Sequence, residues 1–249
     1  MEPTASAARA AELLDGVPRQ RGPAAQSAPA PAPSAHPVPA RSPARRLLRL
    51  LPTPTGTPFT FGYAAVLAVT SLIDQYADPS LVHALHQASS TDVAHLLRTP
   101  VLVLLASALW VAGGLVSPYT LGFVLVLTAL ERRAGGLRAA GVFLLGHVLA
   151  TLATEVPVGL AVLAGHLPDS SLHRMDYGIS FGVAACVGSL AGLLTPWLRR
   201  PLLALAGWIL VRDLIAFTDP MTDWGHLISL AIGVATWPLV RRGQPTRTA

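Results

Sequence analysis

Charge is the scarce ingredient of this chain: only 12% of its 249 residues are charged, where an ordinary soluble domain carries about 25%. That shortage argues against a soluble single domain. Cysteine is nearly absent, and Cys186 alone excludes a disulfide framework and any Cys-based zinc site. Lysine is missing altogether; all eighteen basic residues are arginine. With the excess of Ala, Gly, Pro, Val and Leu, this points to a GC-rich coding sequence and a bacterial source. What is abundant is apolar surface, at 52% of the residues. Membrane helices need about 20 residues each, so half a dozen would use roughly 120, close to the apolar half of the chain. The net charge of +5 and the isoelectric point near 10.3 raise the question of nucleic acid. Binding there needs a basic face with polar or aromatic readers; none is visible, and no nucleic-acid partner is expected.

Residues 1–51 differ in composition from the rest, being rich in Ala, Pro and Ser with arginines at 9, 19, 21, 41, 45, 46 and 49. Such a segment buries too little apolar surface to offset its ordering entropy and reads as a disordered tail. It lacks the continuous apolar stretch of a secretory signal. Beyond it, apolar stretches predict spans at 58–74, 118–131, 138–160, 178–197, 201–217 and 224–240. The run Val101 to Val116 is ambiguous: it is a seventh span or a membrane-embedded loop, and it ends in Gly113-Gly114 and Ser117-Pro118. With six spans and a cytoplasmic amino terminus, fifteen of the eighteen arginines fall on the inner side, leaving Arg98, Arg174 and Arg212. A seventh span would turn Arg132, Arg133, Arg138, Arg199 and Arg200 outward, against the positive-inside rule. The expected architecture is therefore an all-α integral membrane protein of the cell membrane. It has the tail at 1–51, a six-helix membrane domain at 52–240, and a short basic cytoplasmic C-terminus at 241–249.

Acids and histidines gather in the outer segments. The fourth span opens with Asp176-Tyr177-Gly178-Ile179-Ser180-Phe181-Gly182 and the sixth with Asp223-Trp224-Gly225-His226. Both spans run from outside to inside, and at 1.5 Å per residue Ser180 and His226 each lie about 3 Å beyond Gly178 and Trp224. A serine and a histidine at matched depth are the minimum for nucleophilic catalysis, the imidazole taking the hydroxyl proton. Gly178, Gly182, Gly225 and Gly233 permit close helix approach; the plainer reading of the same serine and glycines is helix packing.

These residues resemble the rhomboid family of intramembrane serine proteases. Gly178-Ile179-Ser180 matches the first three positions of the family's Gly-x-Ser-Gly motif, with Phe181 in place of its last glycine. Gly225-His226 through Ser229 and Gly233 matches its histidine pattern in the sixth helix, and Leu130-Glu131-Arg132 with Gly135 matches its Leu-Glu-Arg after the second. The resemblance covers roughly 58–240 and implies a six-helix core, Ser180 as nucleophile and His226 as base. It implies no metal or cofactor, transmembrane proteins as substrates or clients, and the lipid bilayer as surroundings.

The chain also departs from the family. The family's His-x-x-x-Asn pair that helps hold the oxyanion in the second helix would fall near Leu115 and Tyr119, where there is neither histidine nor asparagine, and about the place of its Trp-Arg after the first helix stands Leu96-Leu97-Arg98, without the tryptophan. An oxyanion donor is worth about 3 to 4 kcal/mol, so the alternative is a catalytically inactive relative that binds transmembrane segments. Asp176 and Asp223 are expected as helix N-caps, with a role for Asp223 in orienting His226 as the sharper option. His83, His86 and His95 lack an acidic ligand in register and read as loop residues rather than metal ligands. His147 and Glu155, eight apart, suggest a proton path or simple packing.

Overall fold

The computed structural model describes residues 50–242. The expected tail at 1–51 and the basic segment at 241–249 fall outside those residues except for 50, 51, 241 and 242. The described chain is helical, with no strand. In order come α1 (Pro58–Tyr76), α2 (Pro79–Ala88), α3 (Val93–Arg98), α4 (Pro100–Ser107), α5 (Pro118–Ala134) and α6 (Gly136–Leu163). A 3-10 turn (Asp169–His173) then leads to α7 (Ser180–Ala191), α8 (Pro196–Ala216), α9 (Pro220–Ala235) and α10 (Trp237–Arg241).

Proline sets where many of these helices begin. α1, α2, α4, α5, α8 and α9 all carry it in the first two positions, where its fixed φ suits the helix and its missing N–H costs nothing. Asp78, Asp92, Ser117 and Asp219 cap α2, α3, α5 and α9 through their side chains. The cap positions expected at Asp176 and Asp223 are therefore corrected. Asp219-Pro220 starts α9 four residues earlier, leaving Asp223 inside its first turn. α7 begins after Ile179; the turn at Gly178 (φ 125°) separates Asp176 from it, and Asp176 instead accepts from the Thr91 hydroxyl at 3.3 Å.

A helix occupies each of the six expected spans. By length and composition α6 is the one helix among the described residues that qualifies to cross a bilayer, with 28 residues and a mean hydropathy of 1.6. α7 has 12 residues, about 18 Å, shorter than the expected 178–197. The ambiguous run yields only the eight-residue α4. At about 12 Å it cannot cross a hydrocarbon core of about 30 Å, and the chain then turns through Gly113 and Gly114 at positive φ.

α7 lies at the centre, packed against α9, α6 and α5. The closest approaches are made through glycine. A Cβ on Gly233 would fall on the Ala185 carbonyl, one on Gly188 on the Leu230 carbonyl, and one on Gly146 on the Ala185 side chain. Around this seam the core holds Phe123, Leu127, Leu130, Val142, Phe143 and Ile179, with Tyr63 set edge-on between Phe123 and Phe143 at centroid distances of 5.1 and 5.2 Å.

Glu131, of the Leu-Glu-Arg stretch, ties the end of α5 to the start of α1. Its buried carboxylate accepts from Phe59 N (3.0 Å), Thr60 N (2.7 Å) and Thr60 Oγ1 (2.6 Å). It thereby satisfies orphan N–H groups at the positive end of α1 from across the fold.

Candidate active site

Two contacts set the register of α7 on α9. Ser229 Oγ donates to the Phe181 carbonyl, and Gly233 rests on Ala185 one turn further along both helices. Stepping back from the first contact leads to Ser180 on one helix and His226 on the other. Ser180 is half-buried and is the first residue of α7; His226, in the second turn of α9, is 6% exposed.

The His226 ring is held on two sides. Phe181 meets it edge-on at 5.2 Å and 78°, and Tyr119 from α5 lies nearly parallel to it at 6.2 Å and 18°. The buried Nε2 of His226 has no hydrogen-bond partner, and no hydrogen bond joins it to Ser180. No side chain caps α7 at Ile179, so the N–H groups of Ser180, Phe181 and Gly182 leave the helix end without intrahelical partners.

Of the four glycines singled out in the sequence, Gly182, Gly225 and Gly233 sit where a side chain would not fit, and Gly178 has a backbone conformation that side chains disfavour. Gly178 adopts positive φ, and its N–H donates to the Ser107 carbonyl at 3.0 Å while Ile179 N donates to the Trp110 carbonyl at 3.2 Å. The segment after α4 is thus pinned to the entrance of α7. A Cβ on Gly182 would enter the Phe143 ring, and one on Gly225 the Phe181 ring. Phe181, the departure from the family motif, fills the hollow that Gly225 leaves beside His226.

The remaining polar candidates have other partners. His95 Nδ1 lies 2.7 Å from Asp92, and His86 Nε2 lies 3.1 Å from Asp74. His86 stacks on Tyr177 at 4.3 Å and meets Trp110 edge-on at 4.6 Å. Among the described residues, no group of three or more His, Cys, Asp or Glu side chains is placed to hold a metal ion. His147 and Glu155 do not pair with each other. His147 Nε2 lies 3.0 Å from both the Leu104 carbonyl and Ser107 Oγ, and Glu155 is bound by Arg174 at 2.5 Å.

Sequence reasoning missed Ser107 and Arg174. Ser107 and His147 form a hydrogen-bonded serine–histidine pair, but its chemistry differs from that of a nucleophile and its base. The Leu104 carbonyl only accepts, so Nε2 carries the proton and cannot take one from Ser107. Arg174 had a signal: it is one of three arginines outside the segments expected to face inward, and a wholly buried Glu155 needs a cation. Asp176 lies within this cluster; burial pushes its carboxyl above the ordinary range, with Arg174 and the Thr91 hydroxyl opposing.

Comparison with known proteins bears on the whole of this architecture. The family model described as rhomboid-like protein matches residues 55–246, from before α1 to beyond α10. No curated protein matches the chain, and no solved structure does. The chain belongs to the rhomboid-like protein family and is a membrane protein.

Proposed function

We propose that this protein is an intramembrane serine endopeptidase of six spans, with both termini cytoplasmic, that cuts transmembrane segments near the outer membrane face. The observation that carries the reading is the buried, unpartnered Nε2 of His226 on the helix packed in register against that of Ser180. Leaving a buried polar group unsatisfied costs about 1–3 kcal/mol. The Ser180 hydroxyl, at the start of the neighbouring helix, is a donor that would remove that cost.

In the reaction, His226 Nε2 takes the proton from Ser180 Oγ as it attacks the carbonyl carbon of an unwound segment. The backbone N–H groups opening α7 receive the oxyanion in place of the missing second-helix side chains. Collapse expels the amine, to which His226 returns the proton; water then hydrolyses the acyl-serine by the same route in reverse. Asp223, in the turn before His226, requires no role in these steps.

Phe181 favours a second reading. Its ring stands beside His226 where the family motif has glycine, and with neither histidine nor asparagine near Leu115 and Tyr119 it fits an inactive relative that binds transmembrane segments without cutting them. A fluorophosphonate probe on the reconstituted protein separates the two. Labelling of the wild type that is lost in both Ser180→Ala and His226→Ala is the expected result; equal labelling of all three overturns the dyad.

A further inference from the structure

Arg174 lies between the 3-10 turn and α7 and gathers side chains from three directions. Its Nη2 lies 2.5 Å from Glu155 Oε1 on α6 and 3.8 Å from Asp176 Oδ2. Its Nη1 lies 3.4 Å from Asp219 Oδ1 and 3.3 Å from Thr222 Oγ1. Asp219 is the N-cap of α9 and Thr222 is the residue whose N–H it receives, so the guanidinium grips the start of the helix that carries His226. Asp176 is four residues before Ser180, and its backbone is held from the α2–α3 link. Asp176 N donates to Ser90 Oγ at 3.1 Å, and Thr91 N donates to the Asp176 carbonyl at 2.8 Å.

We infer that Arg174 is a positioning residue that fixes the start of α9, and with it His226, against α6 and the segment entering α7. The inference rests on the Ser180–His226 reading for its catalytic consequence. α8 and α9 are joined by only Phe217, Thr218 and Asp219 and pack against each other, but α8 has no buried residue, whereas Arg174 ties the start of α9 directly to α6. Glu155 supplies the fixed point because it is 0% exposed in the long helix α6. Only a planar, multi-donor guanidinium reaches an α6 carboxylate, Asp176 and the α9 cap together; an ammonium at the same place keeps the charge but fewer of the contacts.

The test compares wild type, Arg174→Gln and Arg174→Lys in the full-length reconstituted protein, well below the unfolding temperature of each. Two measurements are made on each: the fluorophosphonate labelling rate, and the spin-label distance distribution between Leu163→Cys on α6 and Thr218→Cys before α9 in a Cys186→Ala background. Misplacing a catalytic group by about 1 Å costs on the order of a hundredfold in rate. Arg174→Gln is expected to slow labelling on that scale and to broaden the distribution, and Arg174→Lys to recover part of both. A distribution unchanged by Arg174→Gln, or a Gln effect that Lys does not lessen, overturns the inference. If the wild type takes no label, the Ser180–His226 reading fails separately, and the distance distributions alone decide whether Arg174 holds α9.

Discussion

Replacing Glu131 tests whether the fold depends on one carboxylate capping a helix distant in sequence. Three hydrogen bonds converge on it, from Phe59 N, Thr60 N and Thr60 Oγ1, in a site where the residue is 4% exposed. Hydrogen bonds to a charged group contribute about 1.5–3 kcal/mol each, and an orphaned buried donor costs about 1–3 kcal/mol. The three share one acceptor group and do not add fully, so Glu131→Ala should lose roughly 4–6 kcal/mol. That is a large part of a total near 5–15 kcal/mol. Glu131→Gln keeps one carbonyl oxygen but turns an NH2 toward donors, and should lose roughly 2–3 kcal/mol. Thr60→Val removes a single donor and should lose about 1 kcal/mol. Equilibrium unfolding in mild detergent titrated with SDS, followed by tryptophan fluorescence, measures all three. Glu131→Ala within about 0.5 kcal/mol of wild type, the range of a featureless surface change, would refute the reasoning.

Other consequences follow from the same geometry. Gly188→Ala and Gly233→Ala place a methyl on backbone carbonyls of the α7–α9 seam, and each should cost about 1–3 kcal/mol; Gly207→Ala, in the interior of α8 with nothing within 4 Å, is the control and should gain up to about 1 kcal/mol in the same unfolding assay. Burial lowers the pKa of His86, with Asp74 opposing and His83 adding to the decrease, so the folded state binds fewer protons than the unfolded one. Its contribution to stability is complete above the unfolded value near 6.5 and falls as pH drops from there toward the folded value. Stability measured across that window should vary less in His86→Gln than in wild type. Ser107→Ala should leave fluorophosphonate labelling at the wild-type rate while costing about 1 kcal/mol of stability, because His147 holds its Nε2 proton for the Leu104 carbonyl.

Much of the helical layout was legible because a helix forms on each of the apolar runs. The charges favoured a loop over a seventh span at 101–116, where the eight-residue α4 forms. Helix starts were less legible: Asp176 and Asp223 looked like caps by their place before an aromatic and a glycine. Asp219-Pro220 is the stronger start signal, pairing a capping carboxylate with a proline at the first helical position. At Asp176, the turn allowed by Gly178 changes the direction of the chain before the helix begins. The partners of Glu155 and His147 were not legible, because each bond joins residues far apart in sequence whose meeting depends on tertiary packing.

Within the candidate site, the sequence indicated a common depth for Ser180 and His226, and the glycines indicated why their helices approach. It could not indicate what the Phe181 ring does. A glycine there would leave an open space beside Gly225; the phenyl ring fills that space and meets the imidazole edge-on. This packing restricts how the imidazole turns, and the ring does so without supplying a hydrogen bond to Nε2. Under the endopeptidase reading the imidazole must be held in place to take the Ser180 proton, so Phe181→Gly, which removes the edge contact on the ring, should slow probe labelling.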